Sequence, residues 1–160
     1  MTPKTSRLVA LALLGALAAC GNAPAERMYL AQPTRTQSDL HPNETPELRA
    51  LIRQYSAAYG VPESLVHRVI VRESRHRPGA RNGKYYGLMQ MLPATARGMG
   101  YKGSPTGLLD AETNLKYGVK YLRGAYIVAD GNPDRAIKWY SKGYYYEAKR
   151  KGLLEETGLR

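Results

Sequence analysis

A mainly α-helical single domain is what the sequence predicts, on three observations. Apolar side chains recur at helical spacing in successive segments, most of them opened by a proline or a capping residue and closed by glycine. Only residues 80–92 carry a hairpin signal. Once a leader and a linker are set aside, 115 residues remain, enough for one hydrophobic core and no more.

The elements follow in order. Thr45-Pro46-Glu47 opens a first helix with proline at its first position, and Leu48, Leu51, Ile52, Tyr55 and Tyr59 form its stripe up to Gly60. A second helix starts near Val61-Pro62-Glu63 and runs to about Ser74. Asn82-Gly83 suits the turn of a short strand pair. Pro93 to Gly98 forms a short third helix. Asp110 caps a long fourth, whose stripe is Leu115, Val119, Leu122 and Tyr126, ended by Gly131. Asn132-Pro133 starts a fifth through Trp139, and a sixth follows Gly143 with the basic end Lys149-Arg150-Lys151.

Composition narrows the class. The chain has 160 residues, 43% of them hydrophobic and 23% charged, which is ordinary for a globular protein and excludes a disordered one. One cysteine makes no internal disulfide, and three histidines scattered along the chain argue against a His/Cys zinc site, so no metal and no cofactor is expected. The net charge of +11 admits nucleic acid as a partner, yet the longest basic run is three residues, 149–151, and the charge is spread over several helices. No nucleic-acid role is expected. Cell-wall peptide carboxylates or anionic lipid head groups suit a charge behind an export signal better.

That signal occupies residues 1–19. Lys4 and Arg7 precede ten uncharged residues, Leu8 to Leu17, about 15 Å as a helix and too short to span a bilayer. Leu17-Ala18-Ala19-Cys20 resembles the lipobox of bacterial lipoproteins, which implies cleavage before Cys20, acylation there, and a lipid-anchored, periplasmic protein sorted to the outer membrane. Residues 20–45 hold Pro24, Pro33 and Pro42 without apolar periodicity and read as a tether, which leaves 46–160 as the folded head.

Glu73 is the informative residue. At 100° per residue from Leu65, the apolar side chains Val66, Val69 and Ile70 fall at about 100°, 40° and 140°, and Glu73 at about 80°, inside their stripe. A carboxylate on a buried face is costly unless protonated or paired, and burial raises its pKa toward that of a general acid for glycosidic cleavage. Arg75, Arg77 and Arg81 would oppose this if they reach it, and a core glutamate satisfied by its neighbours is the plainer alternative. Between Ser74 and Leu109 there are 36 residues with six Arg or Lys and no Asp or Glu. Two-carboxylate glycosidases need a partner about 5–9.5 Å away. Asp110 and Glu112 are the nearest downstream candidates and are more simply a helix cap and first turn. One carboxylate acting twice, or a substrate that supplies its own nucleophile, accounts for the pattern.

Glu73-Ser74, then Gly87-Leu88-Met89-Gln90 with Pro93-Ala94-Thr95-Ala96, then Asn114-Leu115, Gly118 and Tyr121-Leu122, resemble in order the motifs of the soluble lytic transglycosylase (SLT) family, glycoside hydrolase family 23. The resemblance covers about Tyr59 to Gly143, including a last motif from Ala136. It implies a lysozyme-like fold of the goose-type lysozyme and SLT kind, with a two-lobed cleft. It also implies a peptidoglycan lytic transglycosylase, which cleaves the bond between N-acetylmuramic acid and N-acetylglucosamine without water and leaves 1,6-anhydro ends. Glu73 is then the catalytic acid and base, with Ser74, Met89, Gln90, Leu92, Tyr121 and Tyr140 at substrate. Ser74 serves equally well as a helix cap, Met89 and Leu92 as core, Gln90 in a loop-to-backbone bond and Tyr140 in simple packing. Trp139-Tyr140-Ser141-Lys142-Gly143 departs from the family's usual Ala-Tyr-Asn-Ala-Gly at Ser141. The alternatives are a hydrolytic muramidase aided by Asp110 or Glu112, and a wall-binding lipoprotein without activity. Expected partners are peptidoglycan strands, the membrane through the lipid, and envelope-spanning machinery that needs a gap in the wall. Among 13 tyrosines, one each from Tyr85-Tyr86 and Tyr144-Tyr145-Tyr146 is expected to carry sugar rings.

Overall fold

A computed structural model of the chain describes residues 39–159. The leader and Cys20 therefore lie outside the described residues, as does the tether up to residue 38. No described helix is long and apolar enough to cross a membrane.

Local chemistry starts and stops the helices. The Thr45 hydroxyl accepts from the Leu48 amide at 3.2 Å and opens α1, Pro46–Tyr59, while Gly60 ends it in the left-handed region. α2 spans Glu63–Glu73 and is closed by Ser74. β1 (Arg81–Asn82) and β2 (Tyr85–Tyr86) pair antiparallel, with Arg81 opposite Tyr86 and Asn82 opposite Tyr85. The turn is thus Gly83-Lys84, one residue beyond the Asn82-Gly83 that the sequence suggests, and Tyr86 also bridges Met91. α3 is Pro93–Gly98. A 3₁₀ turn at Pro105–Leu109, which the apolar pattern does not announce, leads into α4, Ala111–Val128. Asp110 Oδ1 accepts from the Thr113 amide at 2.8 Å to cap it. α5 (Pro133–Lys142) is capped by Asn132, and α6 covers Tyr145–Lys151.

α4 is the central element, packed against α1, α3, α5, α6 and the 3₁₀ turn. Leu115, Val119 and Leu122 on α4 meet Ile52 of α1 and Leu65, Val69 and Ile70 of α2 in one buried core. Burial of each such side chain contributes about 1.5–3 kcal/mol. The architecture is mainly helical, as the sequence predicts.

The ordered head starts earlier than the sequence suggests. Residues 39–45, assigned above to the tether, pack on it. Glu44 is buried, accepts from Arg49 Nε and Nη2 at 2.6 Å each, and accepts from the His41 amide at 2.9 Å. Those bonds hold its carboxyl down at about 2, Arg49 being the main favourable influence against desolvation.

Candidate active site

Glu73 is the last residue of α2, and its side chain is 23% exposed. Because α2 packs its 0–140° stripe into the core and ends at Glu73, the carboxylate emerges from apolar surroundings at the helix terminus. It opens into a cavity of about 580 Å³ whose other walls are Arg77, Gly79, Ala80, Arg81, Asn82 and Gln90. Desolvation raises the Glu73 pKa above the usual carboxylate range, and Arg72, with Nε 3.6 Å from Oε1, opposes the rise. The arginine that acts on it is therefore the adjacent Arg72 and not the later Arg75, Arg77 or Arg81. Arg77 and Arg81 stand on the cavity wall, with Arg77 Nε donating to the Ser74 carbonyl at 3.0 Å and the Arg81 guanidinium 4.9 Å above the Tyr86 ring.

Among the described residues, no second carboxylate lines this cavity. The two downstream candidates are occupied elsewhere: Asp110 caps α4, and Glu112 accepts from the Tyr55 hydroxyl at 3.0 Å.

The loop facing Glu73 is held by one buried side chain. Asn114, fully buried on α4, accepts from the Met89 amide at 2.8 Å and donates through Nδ2 to the carbonyls of Tyr86 at 2.8 Å and Leu108 at 2.7 Å. Its polar capacity matches the backbone it meets. Gly87 has φ 76°, and a Cβ there would collide with the Asn114 side chain and the Leu108 carbonyl. At Gly118 a Cβ would lie 2.5 Å from Met89 Sδ. The Gly-Leu-Met-Gln and Asn-Leu…Gly segments are thus two halves of one lock that holds Gln90 on the wall of the Glu73 cavity. The sequence marks Asn114 only as part of a motif. Its signal is a polar residue in register with Gly118, Tyr121 and Ala125 on a helix that is otherwise apolar there.

The other expected site residues are placed variously. Gln90 lines the Glu73 cavity in a strained conformation, φ 47°, and its Nε2 donates to the carbonyls of Gly87 at 2.9 Å and Ala80 at 3.2 Å. With both amide protons so used, the group left for a ligand is its oxygen. Ser74 is buried, with its hydroxyl donating to the Ile70 carbonyl at 3.4 Å. Met89 is fully buried beneath Gly118, in the core role that the sequence leaves open. Leu92 is half-buried and starts α3. Tyr140 is buried, and its hydroxyl donates to the Met89 carbonyl at 2.8 Å and touches Met91 Sδ at 3.4 Å. Desolvation first, and the Glu73 charge second, push its pKa well up, so the phenol and the carboxylate sense each other. Tyr121 packs edge-on to Tyr140 at 5.3 Å and faces a separate cavity of about 320 Å³ beside Gly143 and Tyr145. Within the tyrosine clusters, Tyr86 and Tyr144 are buried, whereas Tyr85, Tyr145 and Tyr146 are exposed, Tyr146 by 85%.

A second polar cluster lies across α2. His41, His67 and His76, scattered in sequence, meet around Glu44, so the premise on which the sequence argues against a metal site does not hold in the fold.

Residues 50–153 match the transglycosylase SLT domain family. The membrane-bound lytic murein transglycosylase F of Shewanella woodyi is 36% identical over 95 residues, 55% of this chain and 19% of that protein. The membrane-bound lytic murein transglycosylase C of Mannheimia succiniciproducens is 34% identical over 95 residues, 52% of this chain and 27% of that protein. The chain thus aligns with about a fifth to a quarter of the length of these relatives. With the family match covering most of the chain, the protein belongs to the transglycosylase SLT domain family.

Proposed function

We propose that the protein is a peptidoglycan lytic transglycosylase in which Glu73 handles the proton at both steps. The observation that carries this is the lone, half-buried carboxylate: Glu73 sits in a cavity with no second acid among the described residues, and its pKa is raised by desolvation. Protonated, it donates to the oxygen of the bond between N-acetylmuramic acid and N-acetylglucosamine as that bond breaks. The acetamido oxygen of the muramoyl residue stabilises C1. The carboxylate then takes the proton of the C6 hydroxyl while O6 closes on C1, which regenerates the acid and leaves a 1,6-anhydro end. An intramolecular hydroxyl, held near C1, competes with water at high effective molarity.

Gln90 and Tyr140 support the reading as positioning residues, the first lining the Glu73 cavity with its amide oxygen left for a ligand and the second holding the Met89 carbonyl. Arg77 and Arg81 suit the carboxylates of the muramoyl peptide side chains. Ser141 donates to the Ile137 carbonyl at 3.0 Å, which makes it a helix-surface hydroxyl in place of an amide offered to sugar. The relatives named membrane-bound agree with a lipid anchor at Cys20, on the periplasmic side of a membrane, reached through residues 21–38. The test is digestion of purified peptidoglycan with mass analysis of the products. Anhydro-muropeptides, one water lighter than hydrolysed ones, are expected from the wild type and none from Glu73→Gln. Reducing-end products alone would establish a muramidase, and binding without release, equal in both proteins, a wall-binding lipoprotein.

A further inference from the structure

All three histidines of the chain, 26 and 9 positions apart, converge on one point with a buried carboxylate. One donor atom from each of His41, Glu44, His67 and His76 lies within 4.8 Å of every other. His67 Nδ1 faces His76 Nε2 at 3.0 Å and Glu44 Oε1 at 3.9 Å. Four donors around a tetrahedral ion with bonds of about 2.0–2.1 Å stand about 3.3 Å apart, so a shift of about an ångström completes the shell. We propose that His41, His67 and His76, with Glu44 as fourth donor, bind one Zn²⁺ ion.

Three features beyond the cluster itself point the same way. First, the far nitrogen of His67, Nε2, is buried without a hydrogen-bond partner and stands 3.4 Å from Glu63 Oε1, one helical turn away. A carboxylate that closes on such a nitrogen takes its N–H and fixes the tautomer that turns the other nitrogen's lone pair to a metal. Here that other nitrogen is the Nδ1 that faces the cluster. Secondly, Arg75 and His76 are consecutive non-glycine residues in the left-handed region, at φ 53° and 58°. Such strain persists only where surroundings over-determine it and gathers at ligand-binding and functional positions. Its effect here is to turn the chain directly after α2 so that the His76 ring, 1% exposed, lies back on His67. Thirdly, the cluster has an entry path. His41, the most accessible of the four, and His67 both line an open cavity of about 780 Å³ over α2.

Imidazole nitrogen with one carboxylate is a donor set for a borderline divalent ion, which selects Zn²⁺ over Mg²⁺ or Ca²⁺. All four positions are filled by protein, so the ion is structural. It pins residues 39–45 to α2 and fixes the turn three residues after Glu73, which ties the anchor side of the head to the end of the helix that carries the catalytic group. Arg49, on both Glu44 oxygens, orients that carboxylate, whose remaining lone pairs are left for the ion.

The test uses the full-length chain without a histidine tag, carrying Cys20→Ala so that no thiol competes. After chelator stripping, Zn²⁺ is titrated by calorimetry, and Co²⁺ uptake is followed by its visible absorption. One equivalent of Zn²⁺, a four-coordinate Co²⁺ spectrum and a Zn²⁺-dependent rise in Tm are expected. His41→Ala, which removes the most accessible donor and leaves the core intact, should weaken binding at least tenfold. Glu63→Gln, which touches no ion, should weaken it by about 10–100-fold. His76→Gln serves as a third variant where it folds. Substoichiometric uptake by the parent, or affinity unchanged in both His41→Ala and Glu63→Gln, would overturn the proposal and leave a histidine stack only.

Discussion

Asn114→Ala tests how the active-site loop is held. The substitution removes three hydrogen bonds of 2.7–2.8 Å from a fully buried position. The consequences for the three partners differ. The Tyr86 carbonyl keeps the bond it accepts from the Met91 amide at 2.9 Å. The Met89 N–H and the Leu108 carbonyl lose the side chain that satisfies them, and each buried orphan costs about 1–3 kcal/mol. A loss of about 3 kcal/mol follows for the head. With an unfolding entropy of about 2.1 cal/mol/K per residue over the described residues, each kcal/mol moves Tm by about 4 °C, so a fall of about 12 °C is expected. Below that transition, the loop that carries Gln90 is loosened toward Glu73. A misplacement of about 1 Å there lowers kcat/KM by about a hundredfold. Asn114→Asp keeps the shape and sets a carboxylate oxygen against two carbonyl oxygens, so it should be no more stable than alanine at neutral pH. The assays are thermal melting by circular dichroism and release of soluble fragments from peptidoglycan. A Tm within 3 °C of wild type, with activity retained in Asn114→Ala, would refute the reasoning.

Other expectations follow from the same geometry. Arg72 stabilises the Glu73 carboxylate from 3.6 Å, so Arg72→Ala should move the alkaline limb of the pH–rate profile to higher pH; an unmoved limb would remove Arg72 from the account. Because the folded-state pKa of Glu73 is raised, the protonated form favours folding, and this contribution is lost as pH rises through that value. Glu73→Gln should therefore melt above wild type at neutral pH, with the gap closing as pH falls below the unfolded carboxylate's value, and a constant gap would contradict it. Tyr140→Phe removes the donor to the Met89 carbonyl and should cost about 1 kcal/mol, with kcat falling more than KM changes. If Cys20 is acylated, Cys20→Ala should release the head into the soluble envelope fraction, which fractionation and immunoblotting would show.

Much of this was readable from the chain because it is set locally. Thr45, Asp110 and Asn132 each cap the helix that their neighbours' apolar spacing predicts, and Glu73 declares itself by falling inside the buried stripe of α2. What eluded the sequence depends on contacts between distant segments. Residues 39–45 look like linker, being polar and proline-bearing, and are ordered only because Glu44 finds Arg49 and His41 finds two other rings. The histidines look unrelated because their meeting needs both the α1–α2 packing and the left-handed turn at Arg75-His76. The roles of neighbouring tyrosines divide for the same reason. Tyr144 is buried with its hydroxyl on the Tyr121 carbonyl at 2.9 Å, while Tyr146, two residues on, faces solvent. Sequence spacing gives both the same weight; only the packing of α6 on α4 separates them.

The central claim, that the cleaved sugar closes on itself without water, is tested most directly by digestion in oxygen-18 water. Wild-type protein should release fragments whose new ends carry no heavy oxygen and whose masses are those of anhydro sugars, and Glu73→Gln should release nothing. New ends that carry one heavy oxygen each would show that water attacks C1, and would contradict a single carboxylate serving both steps.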